Sequence, residues 1–350
     1  MRPSDRARTP LLSRPHEEGD GRAAGPDPGG DGRGARHALS PRLLVVAGPT
    51  GTGKSDVATA LAERLNGEIV GCDALQVYRG FDVATAKPSP ADLLRVPHHL
   101  VSHVDPLRDY TLADYVRDAD RAILGIVSRG RLPIVAGGTG MYLRGLLRGV
   151  VDAPARDPEL RDRLRRLAER HGAARLHRLL LRCDPESARR LPPADAQRVV
   201  RALEIALAGG GRWSERLREE GSWSSGVERY PSLKVVLDLP REVLARRLDA
   251  RVDGFFAGGL VAEVRRLLAA GIPARANAFK AIGYREVLSA LERGIDPESV
   301  VDDVRRATRR YAKRQRTWFR SERDALRVDM EPGCEAATRV ILECWRSGGV

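Results

Sequence analysis

The feature that most constrains this chain is a glycine-rich loop that directly follows a short apolar segment. Residues 43–47 (LLVVA) are typical of a buried strand, and Gly48–Ser55 (GPTGTGKS) follows without a spacer. The next residues have a helical pattern with one apolar face up to Leu65. A strand, a G-x-x-x-x-G-K-S loop and a helix in this order open a P-loop α/β fold. We therefore predict an α/β P-loop core, a parallel sheet with helices on both faces.

The loop residues supply several kinds of contact to a phosphate group. Backbone N–H groups and the helix N-terminus surround a diphosphate or triphosphate, and Lys54 adds a positive charge. The Ser55 hydroxyl is suited to bind Mg²⁺. The predicted phosphate site consists of Gly48, Pro49, Thr50, Gly51, Thr52, Gly53, Lys54 and Ser55.

A second apolar segment, Glu68–Cys72, delivers Asp73 to the carboxyl end of a predicted strand, where open α/β sheets bind ligands. P-loop enzymes that hydrolyse or transfer the phosphate of nucleotides usually carry an acid at the end of a later strand, where it holds Mg²⁺ through water. Here the later strand, 132–136, ends in Gly137-Gly138-Thr139. Asp73 is thus the acid best placed to accept a proton from a nucleophile. The alternative is that it only forms a turn or caps a helix.

The order of patterns along the chain predicts a core that is interrupted by an insertion. The first residues are rich in Gly and Pro with little to bury, which favours disorder. A long helical stretch with Arg-rich faces separates the strand at 132–136 from the one at 234–239, too far apart for a simple crossover. The predicted segments are a disordered extension (1–41), the first part of the core (42–155), a helical insertion domain (156–212), the second part with basic C-terminal helices (213–330) and a C-terminal tail (331–350).

The charge of the chain points to a polyanionic partner. The formal net charge is +13, from 60 Lys and Arg against 47 Asp and Glu. Residues 305–327, which include most of a predicted basic helix, contain ten basic and two acidic side chains. Such a run is often a solvated face. Together with the Arg-rich insertion and the total charge, it favours a nucleic-acid track.

The sequence contains no sign of a membrane or disulfide-rich protein. No apolar run approaches the roughly 18 residues that a bilayer span requires, and the start has no secretory signal. We therefore expect a cytoplasmic protein without a membrane partner. The four cysteines are scattered without a C-x-x-C pair, which indicates neither a disulfide framework nor a zinc site.

Seven segments of the chain resemble the tRNA dimethylallyltransferases, the bacterial isopentenyltransferases of tRNA. The resemblance is ordered and spans about residues 43–330. Its most specific parts are the Asp73–Pro88 run and the Lys313–Trp318 stretch. The matching segments are Gly48–Ser55, Asp73–Gly80, Asp82–Pro88, Gly137–Tyr142, Asp195–Glu204, Ala281–Arg285 and Ala312–Trp318.

The resemblance implies transfer of a dimethylallyl group from dimethylallyl diphosphate to N6 of adenosine 37, beside the anticodon of tRNA. Asp73 would remove the proton from N6, while Mg²⁺, Lys54 and the loop would stabilise the departing diphosphate. Arg251 is implied on the diphosphate side. The family expectation is a monomer that binds the anticodon stem-loop.

The resemblance also implies a path for the RNA. Three positions are compared with the family pattern. Ala74 replaces a serine, Leu75 stands where the family has Arg or Met/Leu, and Ala194 replaces the asparagine of a Pro-Asn-Asp turn. The first of these removes a hydrogen-bond donor near the base. The implied tRNA-binding residues are Asp73, Ala74, Leu75, Gln76, Thr139, Arg161, Gln197, Arg198, Val199, Val200, Arg201, Lys313, Arg314 and Arg316.

Two other functions remain open from the sequence. Residues 236–240 followed by Arg246, Arg247 and Arg251 resemble the arginine-bearing lid of a nucleoside-monophosphate kinase, and the glycine loop fits a small-molecule kinase equally well. A kinase, however, needs neither a basic C-terminal helix nor a long helical insertion. The second alternative is a non-enzymatic RNA-binding module with a vestigial loop.

Overall fold

A single parallel sheet forms the centre of the molecule. The computed structural model describes residues 41–151, 153–154, 157–209, 211–219, 227–322 and 324–348, so the predicted disordered extension lies outside the described residues except for Pro41. Within them, six strands pair in the order β3-β2-β4-β1-β5-β6, and every pair is parallel. The strands are β1 (Leu43–Ala47), β2 (Gly67–Gly71), β3 (His98–His99), β4 (Leu132–Gly137), β5 (Ser232–Asp238) and β6 (Leu326–Asp329).

The central strand β1 is buried on both faces, which explains its uninterrupted apolar sequence. Leu44 and Val46 belong to the hydrophobic cluster on one side of the sheet. Val45 and Ala47 belong to the cluster on the other side. The alternation places a helical layer against each face, so the predicted α/β class with helices on both faces is confirmed.

The helices fall into a core set and an inserted set. Those that cover the sheet include α1 and α14 on one face and α3 and α4 on the other. In the described part of the chain, no helix combines the length and apolar character that a bilayer span demands. The helices are α1 (Lys54–Arg64), α2 (Pro90–Arg95), α3 (Leu112–Ser128), α4 (Gly140–Arg148), α5 (Pro158–His171), α6 (Ala173–Cys183), α7 (Pro185–Arg190), α8 (Ala196–Leu207), α9 (Trp213–Glu219), α10 (Arg241–Ala257), α11 (Leu260–Ala269), α12 (Tyr284–Glu292), α13 (Val301–Arg320) and α14 (Cys334–Arg346), with 3₁₀ turns at Asn277–Lys280 and Pro297–Val300.

The inserted helices have a hydrophobic cluster of their own, and this cluster extends beyond the predicted boundary at residue 212. Trp213 of α9 packs against the cluster formed by α5–α8. The next residue, Ser214, donates two hydrogen bonds to the buried Asp184, from its backbone N–H at 2.9 Å and its hydroxyl at 2.6 Å. Helix α9 therefore belongs with the insertion, because a buried carboxylate needs these donors.

The segment predicted as a C-terminal tail is part of the core. After β6, which adds an edge strand to the sheet, α14 packs against α1. Ile341 and Leu342 lie in the same hydrophobic cluster as β1 and α1. Arg64 of α1 also forms an ion pair with Glu335, at 2.7 Å. The apolar residues of this segment recur at helical spacing, and this spacing was the available signal that the segment forms a helix packed on the core.

Candidate functional site

A cavity of about 400 Å³ lies beyond the carboxyl ends of the central strands. The glycine loop contributes Thr50, Gly51, Gly53, Lys54 and Ser55 to its wall. Asp73, the predicted proton acceptor, also lies on this wall, so the cavity brings it together with the predicted phosphate loop. Other residues along its wall include Asp56, Asp73, Leu75, Gln76, Arg251, Phe255, Lys280, Ala281, Ile282, Arg285, Tyr311, Arg314 and Gln315.

Lys54 and Arg251 are cations on the wall of this cavity that have no ion-pair partner among the described residues. The Lys54 amine donates a hydrogen bond to the carbonyl of Pro49, at 2.7 Å. Burial and the neighbouring Arg251 lower the pKa of Lys54 to about 7, against an opposing effect of Asp73. Burial also lowers the pKa of Arg251. Among the described residues, neither cation has a carboxylate at ion-pair distance, so the pair is arranged to receive an anion.

The glycine loop is fastened to helix α13 by Gln315. The backbone N–H of Thr50 donates to Gln315 Oε1 at 2.9 Å, and Gln315 Nε2 donates to the carbonyl of Gly138, also at 2.9 Å. This glutamine is buried on the apolar face of α13, between Ala312 and Phe319. The sequence prediction missed its role because the surrounding stretch was interpreted by its charge. A polar residue at an apolar position of the helix was the available signal.

The close approach of α13 also explains the Gly137–Gly140 segment. A Cβ atom at Gly138 would lie 2.3 Å from Gln315 Nε2, and one at Gly140 would lie 2.1 Å from the indole nitrogen of Trp318. Both positions need glycine because no side chain fits between the turn and the helix. The end of β4 thus serves to pack α13, which accounts for the absence of an acid there.

Asp73 lies in the turn that follows β2, and its two oxygens have different surroundings. Oδ1 accepts hydrogen bonds from the backbone N–H groups of Leu75 and Gln76, at 2.9 and 3.2 Å. The alternative of a turn-forming aspartate is therefore correct for this oxygen. Oδ2 has no hydrogen-bond partner among the described residues, and the side chain lines the cavity. One oxygen holds the carboxylate in place and leaves the other available.

Thr139 and Tyr311 support the Asp73 turn from the opposite side. The backbone N–H of Ala74 donates to Thr139 Oγ1 at 3.1 Å. The Tyr311 side chain, on α13, lies beside Thr139. Burial and the charge of Asp73 raise the pKa of Tyr311, so its hydroxyl stays protonated. Thr139, predicted on the RNA path, thereby also connects α13 to Asp73.

Gln76 and Glu263 hold the 82–86 loop, which forms another part of the wall. Gln76 Nε2 donates to two carbonyl groups of this loop, each at 3.1 Å. The buried Glu263 carboxylate accepts from two backbone N–H groups at the start of the loop, at 3.0 and 3.3 Å. Tyr284 donates its hydroxyl hydrogen bond to the same carboxylate. Glu263 was not recognised from the sequence, since it lies far along the chain from the loop that it holds.

The donor atoms beside the glycine loop suit a small hard cation. The Ser55 hydroxyl has no hydrogen-bond partner among the described residues, and Asp56 places a carboxylate on the same cavity wall. In the part of the chain that the structure describes, no three His, Cys, Asp or Glu side chains gather into a metal site. Mg²⁺ commonly takes one or two protein oxygens and completes its shell with water and substrate phosphate. The residues present fit that mode of binding.

Several predicted RNA contacts on the insertion have structural partners. The buried Glu204 forms ion pairs with Arg161 and Arg201, which neutralise it inside the insertion. The side chains of Val199 and Val200 are buried in the hydrophobic cluster of the insertion. Their side chains therefore pack the fold, and the prediction that these two positions contact RNA stays a prediction.

The adjacent positions Gln197 and Arg198 are exposed on α8, so the prediction that they contact tRNA stays open. Arg198 bonds to Asp195, the residue that caps α8, at 2.6 Å. Breaking this exposed ion pair costs little free energy, so Arg198 can bind a phosphate group in place of Asp195. The side chains of Gln197 and Arg198 therefore lie on a surface that a polyanion can reach.

The three basic residues predicted on α13 do not share one face. Arg314 lines the cavity. Lys313 faces a separate groove between α10 and α13. Arg316 lies along the same groove, where its guanidinium is bound to Asp238 at 2.8 Å and to the Leu239 carbonyl at 2.7 Å. The structure thus places Arg314 at the cavity and binds Arg316 to the end of β5. That either residue contacts tRNA stays a prediction.

Comparison with family models covers nearly all of the described core. Residues 41–103 match the model of isopentenyl transferase, and residues 76–322 match the model of IPP transferase. The second match alone extends over more than half of the chain and includes the insertion.

Individual proteins agree with these family models. The chain is 47% identical to "tRNA dimethylallyltransferase 1" of Trichlorobacter lovleyi over 284 residues, 81% of this chain and 92% of that protein. It is 46% identical to the tRNA dimethylallyltransferase of Myxococcus xanthus over 300 residues, 86% of this chain and 96% of that protein.

Two solved structures share the architecture. A tRNA isopentenylpyrophosphate transferase from Bacillus halodurans has a TM-score of 0.62 and 33% identity, covering 87% of this chain and 97% of that one. A eukaryotic dimethylallyltransferase acting on tRNA has a TM-score of 0.74 and 28% identity, covering 88% and 80%.

Proposed function

This chain belongs to the tRNA dimethylallyltransferase family, and on that premise we propose that its cavity transfers dimethylallyl from dimethylallyl diphosphate to N6 of adenosine 37 of tRNA. The chain is an enzyme of the prenyl-transferring class that acts on tRNA. The observation that carries the site assignment is one cavity that joins Lys54 and Arg251, which have no ion-pair partner among the described residues, to Asp73, which has one oxygen without a hydrogen bond there.

The glycine loop, Lys54 and Arg251 bind the diphosphate. Helix α1 begins at Lys54, directly after the loop, and the dipole at its N-terminus favours an anion. When diphosphate binds, the Lys54 amine exchanges the Pro49 carbonyl for a phosphate oxygen. Negative charge on the diphosphate grows as the carbon–oxygen bond breaks, so these cations stabilise the transition state more than the ground state.

Asp73 accepts the proton that the reaction releases. The N6 nitrogen forms a bond to the allylic C1 carbon, the bond from C1 to the diphosphate oxygen breaks, and the N6 proton passes to Asp73 Oδ2. The adenine amine is a weak nucleophile because its lone pair is delocalised, so a positioned base is useful. The hydrogen bonds to Oδ1 keep the carboxylate oriented while Oδ2 reacts.

We assign Mg²⁺ to the loop side of the cavity, where Ser55 and Asp56 would hold it. Bound there, the ion would offset the charge of the diphosphate and favour its departure. The chain's own contribution is to offer oxygen donors and cations on the wall of the same cavity.

The RNA reaches the cavity from the side lined by basic residues. Lys280, Arg285 and Arg314 lie on the cavity wall, and Gln197 and Arg198 are exposed on the insertion. The target base leaves its stack to reach Asp73, which costs less in an anticodon loop than in a duplex. Since its substrate is tRNA, we place the enzyme in the cytoplasm.

A single incubation separates this function from its two rivals. The protein is mixed with unmodified tRNA, Mg²⁺ and either dimethylallyl diphosphate labelled in its prenyl group or ATP labelled in its terminal phosphate. Prenyl label in tRNA, at an adenosine that gains one C₅H₈ unit, is the expected result. Transfer of phosphate to a small acceptor would identify a kinase, and tRNA binding without either transfer would identify an RNA-binding module.

A further inference from the structure

Part of the cavity wall is apolar. Phe255 follows Arg251 by one turn of α10, and both side chains line the cavity. The Arg251 guanidinium lies 5.7 Å from the centre of the Phe255 ring. The proposed diphosphate site at Arg251 and the aromatic wall formed by Phe255 are therefore about as far apart as the length of a short hydrocarbon chain.

The Phe255 ring is held in place by packing. It is 8% exposed and belongs to the same hydrophobic cluster as Leu75, Ala281 and Ile282, which also line the cavity. A ring fixed on several sides cannot swing away without opening a void. The wall that it forms is consequently rigid.

We infer that Phe255 sets the length of the prenyl chain that the enzyme accepts. The inference rests on the proposed function, since it identifies the end of the cavity that faces the hydrocarbon. With the diphosphate on Lys54 and Arg251, the allylic chain extends along the apolar wall toward Phe255. A five-carbon chain ends against the ring. A ten-carbon chain requires the volume that the ring occupies.

The test compares dimethylallyl diphosphate with geranyl diphosphate as donors to tRNA. In Phe255→Ala, the ratio of kcat/KM for the ten-carbon donor to that for the five-carbon donor should rise at least about tenfold over wild type. Phe255→Leu should give a smaller rise, and it keeps the test available if the alanine variant is unstable.

Phe279 provides a matched control. It is buried in the same hydrophobic cluster, with its ring 5.0 Å from that of Phe81, but it does not line the cavity. Phe279→Ala should leave the donor ratio at the wild-type value. An equal rise in this variant, which would reflect general loosening of the cluster, would overturn the inference.

The failure of this inference and that of the proposed function have different signatures. A folded Phe255→Ala that transfers dimethylallyl with an unchanged donor ratio refutes the role of Phe255 and leaves the proposed function intact. A wild-type protein that transfers no prenyl group from either donor refutes the proposed function, and the inference with it.

Discussion

The cavity and the insertion both bury charged side chains, but they treat them in opposite ways. In the cavity, Lys54 and Arg251 have no carboxylate partner among the described residues, and burial lowers the pKa of each. In the insertion, the buried Glu204 is paired with Arg161 and Arg201. Buried charge is costly unless it is paired. The unpaired cations are therefore suited to bind an anion, whereas the paired charges stabilise the fold.

Two aspartates sharpen the same contrast. Asp184 in the insertion is buried, and both of its oxygens accept hydrogen bonds from Ser187 and Ser214, four in all at 2.6–3.0 Å. Asp73 in the cavity has hydrogen bonds to one oxygen and leaves the other open. The satisfied carboxylate is a structural element, whereas the half-satisfied one has capacity for a proton.

The largest effect is expected from Asp73→Asn. The substitution keeps the shape and one acceptor of the side chain but removes the base, so kcat should fall by about 10²–10⁴ with little change in tRNA affinity. Single-turnover prenyl transfer and tRNA binding are measured on the same preparation. A variant that retains more than about a tenth of the wild-type kcat would exclude Asp73 as the base.

The next largest effect is expected from the loss of Arg251, one of the cations without an ion-pair partner. Arg251→Gln should lower kcat/KM for dimethylallyl diphosphate by about 10²–10³, because a charge that stabilises the leaving diphosphate is lost. Arg64→Gln is the control, since this exposed arginine on α1 pairs with Glu335. Steady-state kinetics with saturating tRNA give the comparison. Equal losses in both variants would show that the cavity cation has no special role.

In the insertion, the expected loss is one of stability. Asp184→Ala leaves two N–H groups and two hydroxyls without their acceptor, and it should lower the free energy of unfolding by about 3 kcal/mol. Urea denaturation measures this loss, and prenyl transfer below the unfolding range should stay within about twofold of wild type. Glu186→Ala, which removes surface ion pairs with Arg190 and Arg218, should change neither. An Asp184→Ala protein of normal stability and low kcat would reverse the distinction between the two regions.

The pKa of Lys54 predicts how diphosphate binding depends on pH. Below about pH 7 the amine is protonated, and above it binding requires uptake of a proton, so affinity should fall by up to about tenfold per pH unit. In the ligand-free protein the sign is opposite, because the unfolded chain keeps a proton up to its pKa of 10.5. This group therefore makes the protein more stable as pH rises from about 7 to 10.5.

Calorimetry with inorganic diphosphate in two buffers of different ionisation enthalpy measures the proton uptake. Lys54→Arg is the control, because a guanidinium stays protonated and should take up no proton at this position. The same uptake in both proteins would place the titrating group elsewhere.

The smallest effect separates two faces of helix α13. Arg314→Ala should weaken tRNA binding and reduce the slope of log affinity against log salt by about 0.7–0.9, the loss of one phosphate contact. Arg316→Ala should leave the slope unchanged, because Asp238 already neutralises this guanidinium. Filter binding over a series of salt concentrations reports both. A slope change for Arg316→Ala alone would reverse the assignment of the faces.

The sheet and the loop could be predicted because their signals are local. The apolar run of β1, the glycine loop and the helix after it occur consecutively, and the apolar segment 68–72 predicts a strand that ends just before Asp73. Asp73 and Lys54 meet because parallel strands bring their carboxyl ends to one edge of the sheet. That part of the site follows from topology alone.

What the sequence did not reveal depends on contacts between distant segments. Gln315 reaches Thr50 across the molecule, and Glu263 holds a loop that lies far from it in the chain. The pairing of Arg316 with Asp238 likewise connects a helix to a strand end. Charge and motif indicate that such residues are special, but only the packed fold separates an RNA contact from a structural clamp.

The most direct measurement counts diphosphate and modified adenosine in one reaction. Purified protein is supplied with Mg²⁺, dimethylallyl diphosphate and unmodified tRNA, and the released diphosphate is compared with the prenylated adenosine found by mass analysis of the nucleosides. Equimolar amounts, abolished together in Asp73→Asn, are predicted. Diphosphate released without any change in adenosine, or adenosine modified equally well by the variant, would contradict the account.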